Sequence, residues 1–320
     1  MKRRAFVLVG AALCLAASAA WPWRYVLEWG REGPGKGEFR RPCGVAKTWT
    51  SDVYVVDTGN HRIQYFTWQG VWLGKWGSLG SGNGQFRNPE GIAVSPNGRI
   101  YVADTGNHRL QYFSANGSFL GTWGSEGAGN GQFKNPVGLA FSPGGNVYVA
   151  DTGNDRVQYF TPAGSFVGKW GWPGSGKKQL RAPYGIAIGI DGRVFVADTE
   201  NHRIQCFTVG GDFLGMWGSY GSGDDQFKFP RGICTPEYYQ VFVADTDNHR
   251  VQCFLRHGVF YLNLGTRGSG AGQFEAPRGI AGGRSWKIYV ADTGNHRIQY
   301  FENRAAVSPA SLGRVKALFR

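Results

Sequence analysis

Long runs of alanine, leucine, glutamate or lysine are few in this sequence, and their scarcity argues against a helical protein. Cysteine is sparse too. Of 5 in 320 residues, Cys14 lies in the apolar amino-terminal stretch, which leaves Cys43, Cys206, Cys234 and Cys253 for the body of the chain. Beyond residue 20 no stretch stays apolar for long enough to cross a membrane as a helix. What the chain has in quantity is glycine, at 51 residues, and aromatic side chains, at 15%. That balance favours short strands joined by tight turns, so the expected fold class is all-β.

Residues 1–20, MKRRAFVLVGAALCLAASAA, start with Lys2, Arg3 and Arg4, continue apolar and end on small side chains, the pattern of an export signal. The expected location is therefore periplasmic or extracellular. Left uncleaved, the same segment would act as a membrane anchor, and no other contact with a membrane is expected. Of the formal net charge of +13, three positive charges fall in this segment and a net three in 302–320, leaving about +7 on the body. The four remaining cysteines could form disulfides in an oxidising compartment. However, Cys206 and Cys253 occupy slots that hold Tyr65 and Tyr112 elsewhere, and Cys234 replaces a recurrent alanine, so mostly free, buried thiols are expected.

Those slots belong to a repeat. Asp57, Asp104, Asp151, Asp198, Asp245 and Asp292 follow one another at intervals of 47 residues, with no insertion. A second marker, Phe-x-x-Pro-x-Gly, runs in step from Phe39, Phe86, Phe133, Leu180, Phe227 and Phe274. A third is Trp-Gly at Trp29, Trp76, Trp123, Trp170 and Trp217, with Leu264 in the sixth place. Within one period four strands can be read between turn signals: GIAV at 91–94, RIYVAD at 99–104, RLQYF at 109–113 and SFLGTW at 118–123. Four strands per period of this length make a propeller blade. The last period lacks its fourth strand, while 23–30, WRYVLEWG, aligns with GVWLGKWG at 70–77 and precedes any first strand. The amino end is therefore expected to complete the sixth blade and close the ring, removing two exposed edges.

With these markers in place the chain resembles the NHL-repeat family, whose Asn-His-Leu signature is found here as Asn60-His61-Arg62 and its counterparts, with Asp155 in place of histidine in the third copy. The resemblance implies a six-bladed β-propeller over 21–301, preceded by the signal at 1–20 and followed by a basic tail at 302–320 that could cover part of one face. A monomeric propeller is expected.

Aspartate, histidine and arginine side by side suggest acid–base or metal chemistry. In a propeller, though, the turns that carry His61, His108, His202, His249 and His296 stand apart around a ring. Each Asp–Arg couple, such as Asp104 and Arg109, is better read as a pair across a hairpin whose carboxylate also accepts turn N–H groups. Enzymes that resemble this family, such as lactonases and peptide-amidating lyases, carry metal ligands on or near the innermost strands. Here those strands read GVAK, GIAV, GLAF, GIAI, GICT and GIAG, without His, Asp or Glu. No catalytic residue, metal site or cofactor is expected.

Slots that differ between the copies are the candidates for binding. At the mouth of the axis stand Cys43, Glu90, Val137, Tyr184, Arg231 and Arg278. Beside them runs a basic slot of Arg40, Arg87, Lys134, Arg181 and Lys228, broken by Glu275. This face should be positive and draw anions. Some propellers of the resembled family use it for RNA, a partner that export makes unexpected. On the opposite face Trp49, Trp68, Tyr238, Tyr239 and Trp286 should gather in blades five, six and one as an exposed aromatic patch. The function expected is a non-catalytic binding scaffold for a protein or an anionic cell-envelope glycan. The alternative is a metal-dependent hydrolase or lyase with an axial site.

Overall fold

Short runs of buried residues in the inner strands, and alternating ones in the outermost, bounded by glycine turns, produce short antiparallel strands. In the computed structural model, which describes residues 23–48, 52–236, 240–283 and 286–303, these strands form six four-stranded sheets. The second blade is representative. Its innermost strand is Gly91–Val94, followed by Ile100–Asp104, Arg109–Phe113 and the outermost strand Phe119–Trp123. A short 3-10 turn, Thr105–Asn107, joins its second and third strands. Among the described residues no helix is long and apolar enough to cross a membrane. The expected signal at 1–20 lies outside the described residues, as does the tail beyond Asn303.

The ring closes as the repeat phase requires. Strand Trp23–Trp29 pairs antiparallel with Arg297–Asn303, placing Tyr25 opposite Phe301 and Leu27 opposite Tyr300. The closing strand is also held by ion pairs from Arg24 to Glu302 at 2.7 Å and from Arg297 to Glu28 at 2.9 Å. Glu302 and Asn303 thus belong to the last strand, and the propeller extends two residues into the segment read as tail.

Six hydrophobic clusters among the described residues each lie between two neighbouring blades. The seam between blades six and one is filled like the others, by Phe39, Val55 and Phe66 from one side and Tyr289, Ile298 and Tyr300 from the other. Phe39, Phe86, Phe133, Leu180, Phe227 and Phe274, the first residues of the Phe-x-x-Pro-x-Gly marker, are fully buried. The glycine of that marker has a steric cause. A Cβ on Gly44, Gly91, Gly138, Gly185, Gly232 or Gly279 would collide with the carbonyl of Glu90, Val137, Tyr184, Arg231, Arg278 or Cys43 respectively. Six innermost strands therefore approach the axis backbone to backbone, and the residues of the variable slot surround its mouth. Cys43, Cys206, Cys234 and Cys253 are all free and buried.

Candidate functional site

The repeated acidic residue is a structural hub. Asp57 has no exposed surface. Its Oδ2 accepts from Arg62 Nε at 2.6 Å, Asn60 Nδ2 at 2.9 Å and Gln64 Nε2 at 3.1 Å. Oδ1 accepts the backbone N–H of Arg40 at 2.7 Å. Of its own turn the carboxylate accepts only the side-chain amide of Asn60 and not the backbone N–H groups that the sequence reading expected, since the 3-10 turn receives no side-chain cap from Asp57. It reaches instead to the loop that enters the blade. Arg62 grips the same loop by donating to the carbonyls of Pro34, Gly35 and Glu38 at 2.6, 2.7 and 2.9 Å. The bond to aspartate recurs in each blade, from Arg109, Arg156, Arg203, Arg250 and Arg297.

The five repeated histidines, His61, His108, His202, His249 and His296, tie blade to blade. Each occupies the left-handed residue after the 3-10 turn, with φ near +54° at His61, a conformation that histidine, asparagine and aspartate adopt more readily than most. His61 Nδ1 accepts the N–H of Asn88 in the next blade at 3.1 Å, and His296 closes the circle by accepting from Arg41 at 3.2 Å. Asp155 does the same work, its Oδ1 accepting from Ala182 at 2.7 Å, which explains why aspartate can replace histidine there. Threonine supplies a second ring of links, from Thr58 to the Pro89 carbonyl at 2.8 Å through to Thr293 and Pro42 at 2.7 Å. Among the described residues no three His, Cys, Asp or Glu side chains lie close enough together to hold a metal ion.

Four residues of the variable slot meet at the axis. A cavity of about 70 Å³ is lined by Cys43, Glu90, Val137 and Tyr184 and by the glycines and branched aliphatic residues of the innermost strands. Tyr184 donates its hydroxyl to Glu90 Oε2 at 2.6 Å across the axis. Burial, and next the Glu90 carboxylate, push this phenol well above its ordinary pKa, so it stays protonated and remains a donor. The Arg231 guanidinium lies over the Tyr184 ring at 4.8 Å, and Arg278 Nη1 is 3.9 Å from the Cys43 sulfur. Burial likewise pushes the Cys43 thiol up, away from the thiolate that would bind metal or attack a substrate. With Glu90 and Cys43 as the acid and thiol in this lining, and the Arg278 guanidinium beside them, the donor set does not fit a transition-metal centre.

Around the mouth Arg40, Arg87, Lys134 and Arg181 are exposed and Lys228 is half-buried. Glu275 pairs with Arg267 at 3.2 Å. Sequence reading missed two exposed aromatic residues on the short strands Trp172–Pro173 and Ser219–Tyr220, Trp172 at 50% exposure and Tyr220 at 64%. Lys228 Nζ stands 5.8 Å from the centre of the Tyr220 ring, whose other neighbour is the His202 ring at 4.9 Å. Both aromatics precede the glycine-rich inter-blade loop, where the other copies hold different residues, and this departure from the repeat was the available signal.

On the opposite face Trp68 is exposed and meets Tyr300 edge-on at 6.2 Å, with Lys287 Nζ 4.6 Å from its ring centre. Trp286 is half-buried rather than exposed, because the closing strand brings Trp23 to 6.5 Å from it over the core of blades five and six. The other members of the expected patch, Trp49, Tyr238 and Tyr239, lie outside the described residues.

Three stretches, 86–113, 133–160 and 180–207, match the NHL repeat family model. No curated protein matches the chain. Solved structures with the same fold include virginiamycin B lyase from Staphylococcus aureus, at 14% identity and a TM-score of 0.60 over 88% of this chain and 99% of that one. A gluconolactonase from Xanthomonas campestris superposes at 16% identity and a TM-score of 0.62 over 82% and 86% of the two chains. A chain of a nidogen–laminin complex is similar at 17% identity and a TM-score of 0.59 over 77% and 86%. At such identities the likeness is one of fold, and that fold serves both enzymes and binding proteins.

Proposed function

We propose that this chain, which carries NHL repeats on a closed six-bladed propeller, is an exported, monomeric and non-catalytic binding scaffold whose positive face holds an anionic glycan. One observation carries the reading: Tyr220 stands exposed with Lys228 Nζ 5.8 Å from its ring, in the same basic slot of the repeat as Arg40, Arg87, Lys134 and Arg181, and Trp172 is exposed on the preceding inter-blade segment. An aromatic ring packs against the C–H face of a sugar, and neighbouring cations pair with its carboxylates or sulfates. An acidic protein would use the cations but has no comparable need for flat, solvent-facing rings beside them. The export signal expected at residues 1–20 would bring such a scaffold to envelope polymers.

The test is binding of the mature chain to polygalacturonate, with uncharged dextran as the control. Polygalacturonate should bind and dextran should not, and Trp172→Ala with Tyr220→Ala should weaken binding at least tenfold without changing the thermal midpoint. Equal binding of both polymers, or an unchanged affinity in the double variant, contradicts the reading.

A further inference from the structure

The axial mouth is chemically distinct from the aromatic surface outside it. Two guanidiniums, Arg231 and Arg278, stand beside Tyr184, whose hydroxyl engages the single carboxylate there, Glu90, at 2.6 Å. The Nε atoms of both arginines are buried and donate no hydrogen bond. Arg231 is held over the ring of Tyr184, and Arg278 has the weakly accepting sulfur of Cys43 at 3.9 Å. A buried guanidinium N–H without an acceptor is costly, and an anion that accepts from it removes that cost. We propose that the mouth is a socket for one carboxylate group, clamped between Arg231 and Arg278.

The choice of carboxylate follows from charge and shape. Two guanidiniums against one carboxylate leave room for one further negative charge, and Glu90 beside the site would repel a second. The cavity of about 70 Å³ is walled by Val45, Ile92, Leu139, Ile186, Ile233 and Ile280 beside Cys43, Glu90, Val137 and Tyr184, so it accepts a small apolar substituent while the Glu90 carboxylate disfavours a doubly charged phosphate. Tyr184, buried and held protonated, cannot become a competing anion. The assignment does not depend on the glycan surface, since the probe touches neither Trp172 nor Tyr220.

Acetate is the probe, acetamide its neutral counterpart and inorganic phosphate the competing anion, followed by ligand-observed NMR saturation transfer on the whole protein. Acetate should bind in the millimolar range and acetamide should not. Arg278→Gln or Arg231→Gln should weaken acetate by about tenfold, the loss expected for one charge-assisted hydrogen bond. Glu90→Gln should tighten acetate severalfold and bring phosphate in, which a purely structural role for Glu90 would not do. Trp172→Ala should leave acetate unchanged. Acetamide binding as well as acetate, phosphate outcompeting acetate in the unaltered protein, or a Glu90→Gln variant of unchanged thermal midpoint that binds acetate more weakly would each overturn the proposal.

Discussion

Asp57 and its five counterparts are the side chains on which each blade depends, because each joins a hairpin, a turn asparagine, a core glutamine and the entering loop through one buried carboxylate. Removing a single partner leaves that charge uncompensated. Arg62→Ala should therefore cost about 3–5 kcal/mol in urea unfolding. The double change Asp57→Asn with Arg62→Met should cost less than Arg62→Ala alone, since it buries no lone charge. An Arg62→Ala effect under about 1 kcal/mol would remove the hub from the account. His202 gives a pH test. Burial lowers its pKa, so the folded state favours the neutral imidazole, whose Nδ1 accepts from the Phe229 N–H at 3.2 Å. The stability this provides is complete above the unfolded value of about 6.5 and is lost as pH falls through the lowered folded value. His202→Asn, which tolerates the same left-handed backbone, should lose less thermal stability between pH 7.5 and 5.5 than the unaltered chain. Parallel losses would contradict this.

At the scale of the element, the blades were legible in the sequence and the contacts between them were not. The 47-residue spacing placed every strand of the second blade to within one residue, because each copy repeats the same strands and turns without insertion. The closing strand was legible from phase alone. By contrast, the acceptor role of His61 toward Asn88, and the collision that forces glycine at Gly91, depend on the distance between adjacent innermost strands, which no single repeat encodes. Trp286 was misjudged for the same reason: its exposure is decided by Trp23, from the far end of the chain. Two outcomes follow. Gly91→Ala should destabilise the chain by more than about 2 kcal/mol, measured by urea unfolding, because backbone rather than a yielding side chain lies in the way. Cysteines replacing Arg24 and Glu302, which stand opposite each other in the closing pair, should crosslink on mild oxidation and raise the thermal midpoint. Failure of this pair to crosslink would mean that the ends do not meet.

For the whole molecule, the six-fold frame confines individuality to whatever departs from the repeat. The departures on the positive face are Glu90, Tyr184, Arg231 and Arg278 at the axis and Trp172 and Tyr220 outside it. The first group was legible as a varied slot within a strong motif, whereas the two aromatics fall in different slots of the inter-blade segment, and only their departure from the other copies marked them. Long-range attraction by this face should be screened by salt, whereas aromatic packing on a sugar should persist. The most direct measurement is therefore the dissociation constant for polygalacturonate across about 20 to 500 mM NaCl. Binding should weaken steeply with salt and level off at a residual affinity that Trp172→Ala with Tyr220→Ala abolishes. An affinity independent of salt, or no binding at the lowest salt, would contradict a glycan scaffold built on this face.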